Sequence, residues 1–419
     1  MADKNDPYPS FSQIHIHLSM SPVWDRVLSE RALEIRKGEK TMKREIAKFS
    51  IQKVEYLDPS GNLAEDAPAV YGAVEGHAQL VEWYKMMVLG RVFDAKASNL
   101  QKTGQIGTYP SMEGQEAVGT GVASAMEDDD VLLTTYREHD ARIRRDEEQE
   151  EAMTNILLCW GGDERGHKRA GRNRKDFPLC ITIATHCGHA VGVAMAMKIR
   201  KENRVAVCML GDGATSKGDV HEAMNWASVW RLPLVFVIVN NQYAISQPRK
   251  LQSGAETLAQ LGVGAGVQFC KQVDGNDVIA MYEVTVEALE RARSGQGPTV
   301  IEALTYRLGS HTTADDASRY RSAEEVEEAR KNEPLIRLRL FLERVGVWNE
   351  TNEVALQAEC KERVEGAVKA YRNIIENHPQ TVDDMFVHMH AKLPATLKEQ
   401  LEIARAFSLD TTKEEYHGS

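Results

Sequence analysis

The stretch RVAVCMLGDGATSKGDVHEAMNWASVWRLPLVFVIVNNQYAIS, Arg204 to Ser246, decides the fold. It opens on a short apolar run, Arg204–Leu210, and closes on a second, the β-branched run Leu234–Val239. Runs of this kind are the strands of a parallel sheet covered on both faces. Asp219–Trp230 between them is helix-like, which makes the stretch a βαβ unit. Two more strands are expected at Gln268–Val273 and Thr299–Ala303, separated by a helix at Val278–Ser294. The fold class implied is α/β: a doubly wound, mostly parallel sheet with helical N- and C-terminal extensions.

Working outward, residues 75–100 form an amphipathic helix, because Leu80, Val81, Tyr84, Met87, Val88 and Phe93 recur at helical spacing. The glycine-rich Gly104–Gly121 and a helix through Ala125 come next. After Arg321 the composition turns charged and helical, at Ala323–Lys331, Pro334–Val345 and Val354–Asn377. Residues 1–48 are polar, with a helical stretch at Val23–Arg36. The expected organisation is an extension at 1–48, an α/β domain at 49–321 and a helical region at 322–419. His15 and His17 alternate as metal ligands can, but in an isolated polar segment they read as incidental.

Composition narrows the function. With 51 basic and 62 acidic residues the net charge is −11, which argues against a nucleic-acid partner, since phosphate neutralisation needs clustered positive charge. The six cysteines contain no C-x-x-C pair, the start Met1–Ser10 is polar, and no apolar run approaches the roughly 20 residues of a membrane helix. A soluble, cytoplasmic protein with reduced thiols is expected, with no membrane partner.

Ligands of open parallel sheets sit beyond the carboxyl ends of the strands. Here those ends are Gly211-Asp212-Gly213 and Asn240-Asn241-Gln242-Tyr243, which face one crevice. Glycines beside an aspartate let the backbone approach a phosphate, and the next helix points its positive N-terminus there. The Asp212 carboxylate, the Asn241 amide oxygen and the Tyr243 carbonyl are hard donors suited to Mg²⁺, which also binds a diphosphate. Either turn alone is a common structural feature. One βαβ unit apart, they form a site.

At these residues the sequence resembles the thiamine diphosphate motif, in a setting similar to the alpha subunit of the two-chain 2-oxo acid dehydrogenases. GTYPSMEGQEAVGTGVASAM (107–126), TTYREHD (134–140), WGGDERG (160–166), GDGATSKGD (211–219), NNQYAIS (240–246), AETLAQ (255–260), VDGND (273–277) and EALTYRLGSHTTADDASRYR (302–321) stand in the family's order. The likeness covers about residues 50–405, closest to bacterial pyruvate dehydrogenase alpha chains, with branched-chain 2-oxo acid and acetoin enzymes as alternatives. It implies a thiamine diphosphate-binding fold and, residue by residue, a cofactor site. Tyr136 and Arg137 would hold the diphosphate, Ile181 and Ile183 would meet the aminopyrimidine, and Gly211, Gly213 and Ala214 would lie along the diphosphate. Asp212, Asn241 and Tyr243 would hold the metal. His311, preceded by Tyr306 and Arg307, matches the loop over the active site; His311 and Arg307 are the candidate catalytic residues.

The sequence also departs from the pattern. Gly188 stands where relatives often have proline and His186 where several have glutamine, so a monovalent-cation site near Thr185 is not carried over. Asp140 replaces a usual glycine, and Arg144–Glu151 is unusually charged, reading as a solvated helix face. The resemblance implies decarboxylation of pyruvate and transfer of the acetyl group to a lipoyl arm. It also implies a heterotetramer of two alpha and two beta chains and contact with the dihydrolipoyl acyltransferase. A noncatalytic assembly subunit is the alternative of a different class. It is disfavoured because Asp212 and Asn241 are both present.

Overall fold

The computed structural model describes residues 44–167, 175–388 and 390–411. Contacts divide the chain into two units, Met1–Ser50 and Ile51–Ser419, and the second carries the sheet and its helices. Val23–Arg36, His15 and His17 lie outside the described residues.

Six strands form the main sheet: β1 (Gln52–Val54), β2 (Val131–Leu133), β3 (Ala206–Gly211), β4 (Leu234–Asn240), β5 (Phe269–Asp274) and β6 (Thr299–Leu304). Their order is β1-β5-β6-β4-β3-β2, and every neighbouring pair is parallel. Cys208 lies opposite Phe236 and Val237 opposite Ile301, so the central strands are in full register.

The helices longer than five residues are α1 (Val74–Lys102), α2 (Glu116–Ala125), α3 (His139–Arg145), α4 (Gln149–Trp160), α5 (Thr185–Arg200) and α6 (Gly218–Val229). They continue with α7 (Val278–Arg293), α8 (Ala323–Arg330), α9 (Pro334–Arg344), α10 (Glu350–Asn377) and α11 (Ala395–Thr411).

Alternation along the strands sorts the core. Cys208, Leu210, Phe236 and Ile238 pack on one face with residues of α5 and α6. Val207, Met209, Val235 and Val237 pack on the other with residues of α2 and α7. The β3-α6-β4 and β5-α7-β6 crossovers therefore cover opposite faces, and the sheet is doubly wound. Each such fully buried side chain contributes about 1.5–3 kcal/mol. This double covering is why the strand sequences are apolar throughout rather than alternating.

A third cluster joins α1, through Trp83, Tyr84 and Met87, to Leu338 and Phe341 of α9 and to Leu356, Val364 and Tyr371 of α10. Two of the charged helices after Arg321, α9 and α10, thus share a core with α1. The segment Arg144–Glu151 is a solvated face only in part: Glu147, Glu148 and Glu151 are exposed, as the sequence suggested, but Arg145 is not. Arg145 is buried on Asp176 at 2.8 Å and on the Glu127 and Asp130 carbonyls, and Glu150 pairs with Arg363 of α10 at 2.5 Å. Among the described residues no helix is long and apolar enough to cross a membrane. Cys187, Cys208, Cys270 and Cys360 are buried.

Candidate active site

β3 and β4 end side by side, and each hands over to a tight turn. After Gly211 comes a 3-10 turn, Asp212–Ser216, and α6 begins only at Gly218. The sequence reading started this helix at Asp219, one residue from where it begins; the 3-10 turn that separates it from Gly-Asp-Gly was not foreseen. After Asn240 the chain enters a small antiparallel ribbon, Tyr243–Ala244 against Gln247–Pro248. Gln242 and Ile245 bracket its first strand with φ of 74° and 57°, a left-handed conformation that costs non-glycine residues on the order of 1–3 kcal/mol.

Between these turns lies a cleft of about 150 Å³. Gly211, Asp212, Gly213, Ala214, Asn241 and Tyr243 line it from the strand ends, with Thr135–Glu138, Cys180, Ile183, Ala184 and His311 around them. Of the sequence candidates, Tyr136, Arg137, Ile183 and His311 converge on the cleft with the two turns. Ile181 stands outside its lining, 63% exposed. Arg307 also stands outside it and is fully buried behind it.

Asp212 is 2% exposed, and its Oδ2 has no hydrogen-bond partner. Burial pushes its carboxyl up to about 6, against the opposing pull of nearby main-chain N–H groups and of Arg307 and Arg137. The turn is fixed because the Asp212 carbonyl accepts from Thr215 Oγ1 at 2.7 Å and Gln252 Nε2 at 2.8 Å. Asn241 donates from Nδ2 to Gln115 Oε1 at 3.1 Å, and its Oδ1 accepts from the Tyr243 N–H at 3.3 Å. The Tyr243 carbonyl accepts from Arg307 Nη1 at 3.2 Å, which leaves it one lone pair for a cation. A Cβ on Gly211 would touch nothing and project into open space, whereas one on Gly213 would lie 2.9 Å from the Ala244 Cβ. Gly213 is required by the ribbon.

The opposite wall is cationic. Arg137 donates to the Ser111 carbonyl and, from Nη2, to the His311 carbonyl at 2.9 Å, with His311 Nδ1 at 3.1 Å. Arg307 donates to Ile245 O at 2.8 Å and to the Tyr320 hydroxyl at 2.8 Å, with His311 Nδ1 at 3.4 Å. Desolvation, reinforced by the facing Arg137 charge, lowers Arg307 to about 10. Desolvation and both arginines hold His311 down at about 4. With guanidinium donors on Nδ1, the imidazole is neutral and carries its hydrogen on Nε2. The ring of Tyr136 meets that of His311 edge-on at 6.1 Å.

Arg307 touches no acidic loop residue directly; the Tyr320 hydroxyl links it to Asp315 Oδ2 at 2.5 Å, and Asp315 also accepts from the His311 N–H at 2.8 Å. Sequence reasoning missed Gln115, Glu138, Ser111 and Tyr320. All four lie in quoted motifs, but most of their partners are distant in the chain: Gln115 meets Asn241, and Ser111 meets Arg137. Glu138 instead accepts locally from the Thr135 N–H and hydroxyl, both at 2.7 Å.

An unpartnered buried carboxylate oxygen in a cleft lined by the Arg137 guanidinium, with Arg307 behind it, suits an anion carrying a cation. Residues 84–380 match the family described as Dehydrogenase E1 component. The chain is 41% identical to the pyruvate dehydrogenase E1 component subunit alpha of Acholeplasma laidlawii, over 77% of this chain and 92% of that protein. It is 38% identical to the pyruvate dehydrogenase E1 component subunit alpha of Staphylococcus epidermidis, over 84% and 92%. It is 39% identical to the 3-methyl-2-oxobutanoate dehydrogenase subunit alpha of Mycobacterium tuberculosis, over 78% and 87%. With a match of this length, the chain belongs to the dehydrogenase E1 component family.

Proposed function

We propose that this chain is the alpha subunit of a thiamine diphosphate-dependent pyruvate dehydrogenase, which decarboxylates pyruvate and passes the acetyl group to the lipoyl group of a dihydrolipoyl acyltransferase. Membership of the family implies dependence on thiamine diphosphate. The observation that carries the site assignment is the orphaned Asp212 Oδ2 at the mouth of β3. With Asn241 Oδ1 and the Tyr243 carbonyl it forms an all-oxygen donor set for Mg²⁺, and Tyr136, Arg137, Gly213 and Ala214 are placed for the diphosphate. When bound, the cofactor supplies a nucleophilic carbon and an electron sink for the departing carbon dioxide. The protein's own residues position, screen and hold protons. Arg137 neutralises phosphate charge, Ile183 gives the rim an apolar contact, and Arg307 locks the ribbon against the His311 loop. His311, neutral with Nε2–H available, donates a hydrogen bond to the acceptor that arrives at the cleft.

An alpha subunit requires a beta partner, and we place the cofactor in the interface of a heterotetramer of two alpha and two beta chains, working in the cytoplasm. Apolar surface supports this reading. Ile183 is exposed at the cleft, and Ile181, Ile199 on α5 and Trp226, Val229 and Trp230 on and after α6 are exposed as well. Contiguous exposed apolar surface marks interaction sites, and α5 and α6, which carry most of these side chains, pack against each other. A branched-chain 2-oxo acid remains the second reading because of the mycobacterial relative at 39% identity. Assaying co-expressed alpha and beta chains on pyruvate, 2-oxoisovalerate and acetoin with an artificial electron acceptor decides between them. Pyruvate is expected to give the highest kcat/KM, and preference for 2-oxoisovalerate would overturn the pyruvate assignment.

A further inference from the structure

The core beneath β3 holds three groups that the cleft does not use. His186 and Cys187 lie in the first turn of α5 and Cys208 in the middle of β3, and all three are buried. The Cys187 and Cys208 sulfurs are 3.8 Å apart. A ring nitrogen of His186 completes a set whose ligand atoms all lie within 4.8 Å of one another. His186 itself is 3% exposed, with Nε2 on the Met209 carbonyl at 2.7 Å and Nδ1 without a partner.

A buried imidazole with an idle nitrogen needs a reason, because burying an unpaired polar atom costs free energy. The Met209 carbonyl can only accept, so Nε2 carries the hydrogen and Nδ1 presents a lone pair. That is the tautomer of a metal-ligating histidine whose other nitrogen is tied to the main chain. The two thiols supply the soft ligands. Thiolates bound to Zn²⁺ at 2.3 Å in a tetrahedron lie about 3.8 Å apart, which is the separation seen here. Charge agrees as well, since two thiolates offset a dication and leave a neutral site in an apolar core.

We propose that His186, Cys187 and Cys208 form a binding site for a thiophilic dication of the Zn²⁺ class, which rivets α5 to β3 just upstream of Asp212. Binding releases one proton from each thiol and forms two metal–sulfur bonds and one metal–nitrogen bond, with a short inward swing of the imidazole. No electron is transferred. The fourth position is left open by these three residues.

The test loads full-length protein, purified reduced and metal-free, with Co²⁺ as a spectroscopic substitute for Zn²⁺. The expected result is about one tightly held ion per chain with a thiolate-to-metal charge-transfer band. Cys208→Ala, which keeps a small apolar group in the core, and His186→Gln should each weaken binding at least about tenfold and diminish the band. If these variants fail to fold, alkylation of the wild-type thiols during urea unfolding decides, and Zn²⁺ should slow labelling of Cys187 and Cys208. Co²⁺ bound without a charge-transfer band, binding unchanged in folded variants, or labelling indifferent to Zn²⁺ would each overturn the proposal. Oxygen-only ligation at Asp212 yields no such band, so the outcome is independent of the Mg²⁺ assignment.

Discussion

Two buried aspartates, Asp277 and Asp212, show how the scaffold and the cleft differ. Both are pushed up to about 6 by burial. Asp277 is fully bonded. Its Oδ2 accepts from the Tyr56 and Leu57 N–H groups at 2.6 and 2.7 Å, and its Oδ1 caps α7 through Ile279 and Ala280 at 2.9 and 3.2 Å. Asp212 stands at the end of β3 with one oxygen unpartnered. The first carboxylate joins the segment after β1 to α7; the second is the one proposed to meet a metal. The same contrast holds among the arginines. Arg337 is paired with Asp274 at 2.9 Å, while Arg137 and Arg307 are buried facing each other and reach only carbonyls, a hydroxyl and the His311 ring.

The sharpest way to break the comparison is to remove the fully bonded carboxylate. Asp277→Ala should destabilise folding by about 3–7 kcal/mol, from a lost cap worth about 1 and two buried N–H groups left unsatisfied at about 1–3 each, read by urea unfolding. Asp212→Ala should do the reverse. Stability should hold or rise, because an unpaired buried charge is removed, while activity falls at least about a hundredfold. Loss of cooperative unfolding in Asp212→Ala would erase the distinction.

Smaller effects sharpen it. If His311 serves the lipoyl acceptor, His311→Gln should lose about tenfold more activity with that acceptor than with an artificial oxidant; equal losses would remove the role. Gly213→Ala should weaken cofactor binding and stability together by about 1 kcal/mol or more through its contact with Ala244, whereas Gly211→Ala should weaken binding alone. Last, His311 should titrate near 4 in cofactor-free protein, by NMR. The unfolded chain takes up this proton first, near 6.5, so the side chain alone makes the fold lose stability as pH falls from 6.5 towards 4. A bound diphosphate offsets both arginines and should raise the value; no rise on binding would argue that the anion sits elsewhere.

What the sequence disclosed depends on how far apart the interacting residues lie. β3 and β4 were legible because both faces are covered and their residues are apolar at nearly every position. β1 and β2, each three residues, were not, since Gln52–Val54 holds a single apolar residue and pairs only with the edge of β5. The two turns were legible as ligand-facing because strand ends in a parallel sheet share an edge. The 3-10 turn after Gly211 was hidden, because glycine next to aspartate fits either geometry. Arg145 looked solvated because Asp176 and the carbonyls that bury it lie well away in the chain. His311 and Arg307 could be named only by resemblance; that their ring and guanidinium meet through Nδ1, with Tyr320 and Asp315 closing the loop, is a property of the folded chain.

The central claim is that Asp212 is kept unpaired for a metal that carries the diphosphate. Calorimetric titration of thiamine diphosphate into the assembled alpha and beta chains tests it most directly, with and without Mg²⁺, for wild type and Asp212→Asn. The account predicts tight binding for wild type that requires Mg²⁺, and binding in the variant that is weak and indifferent to the metal. Equal, Mg²⁺-dependent affinity in both proteins would contradict it.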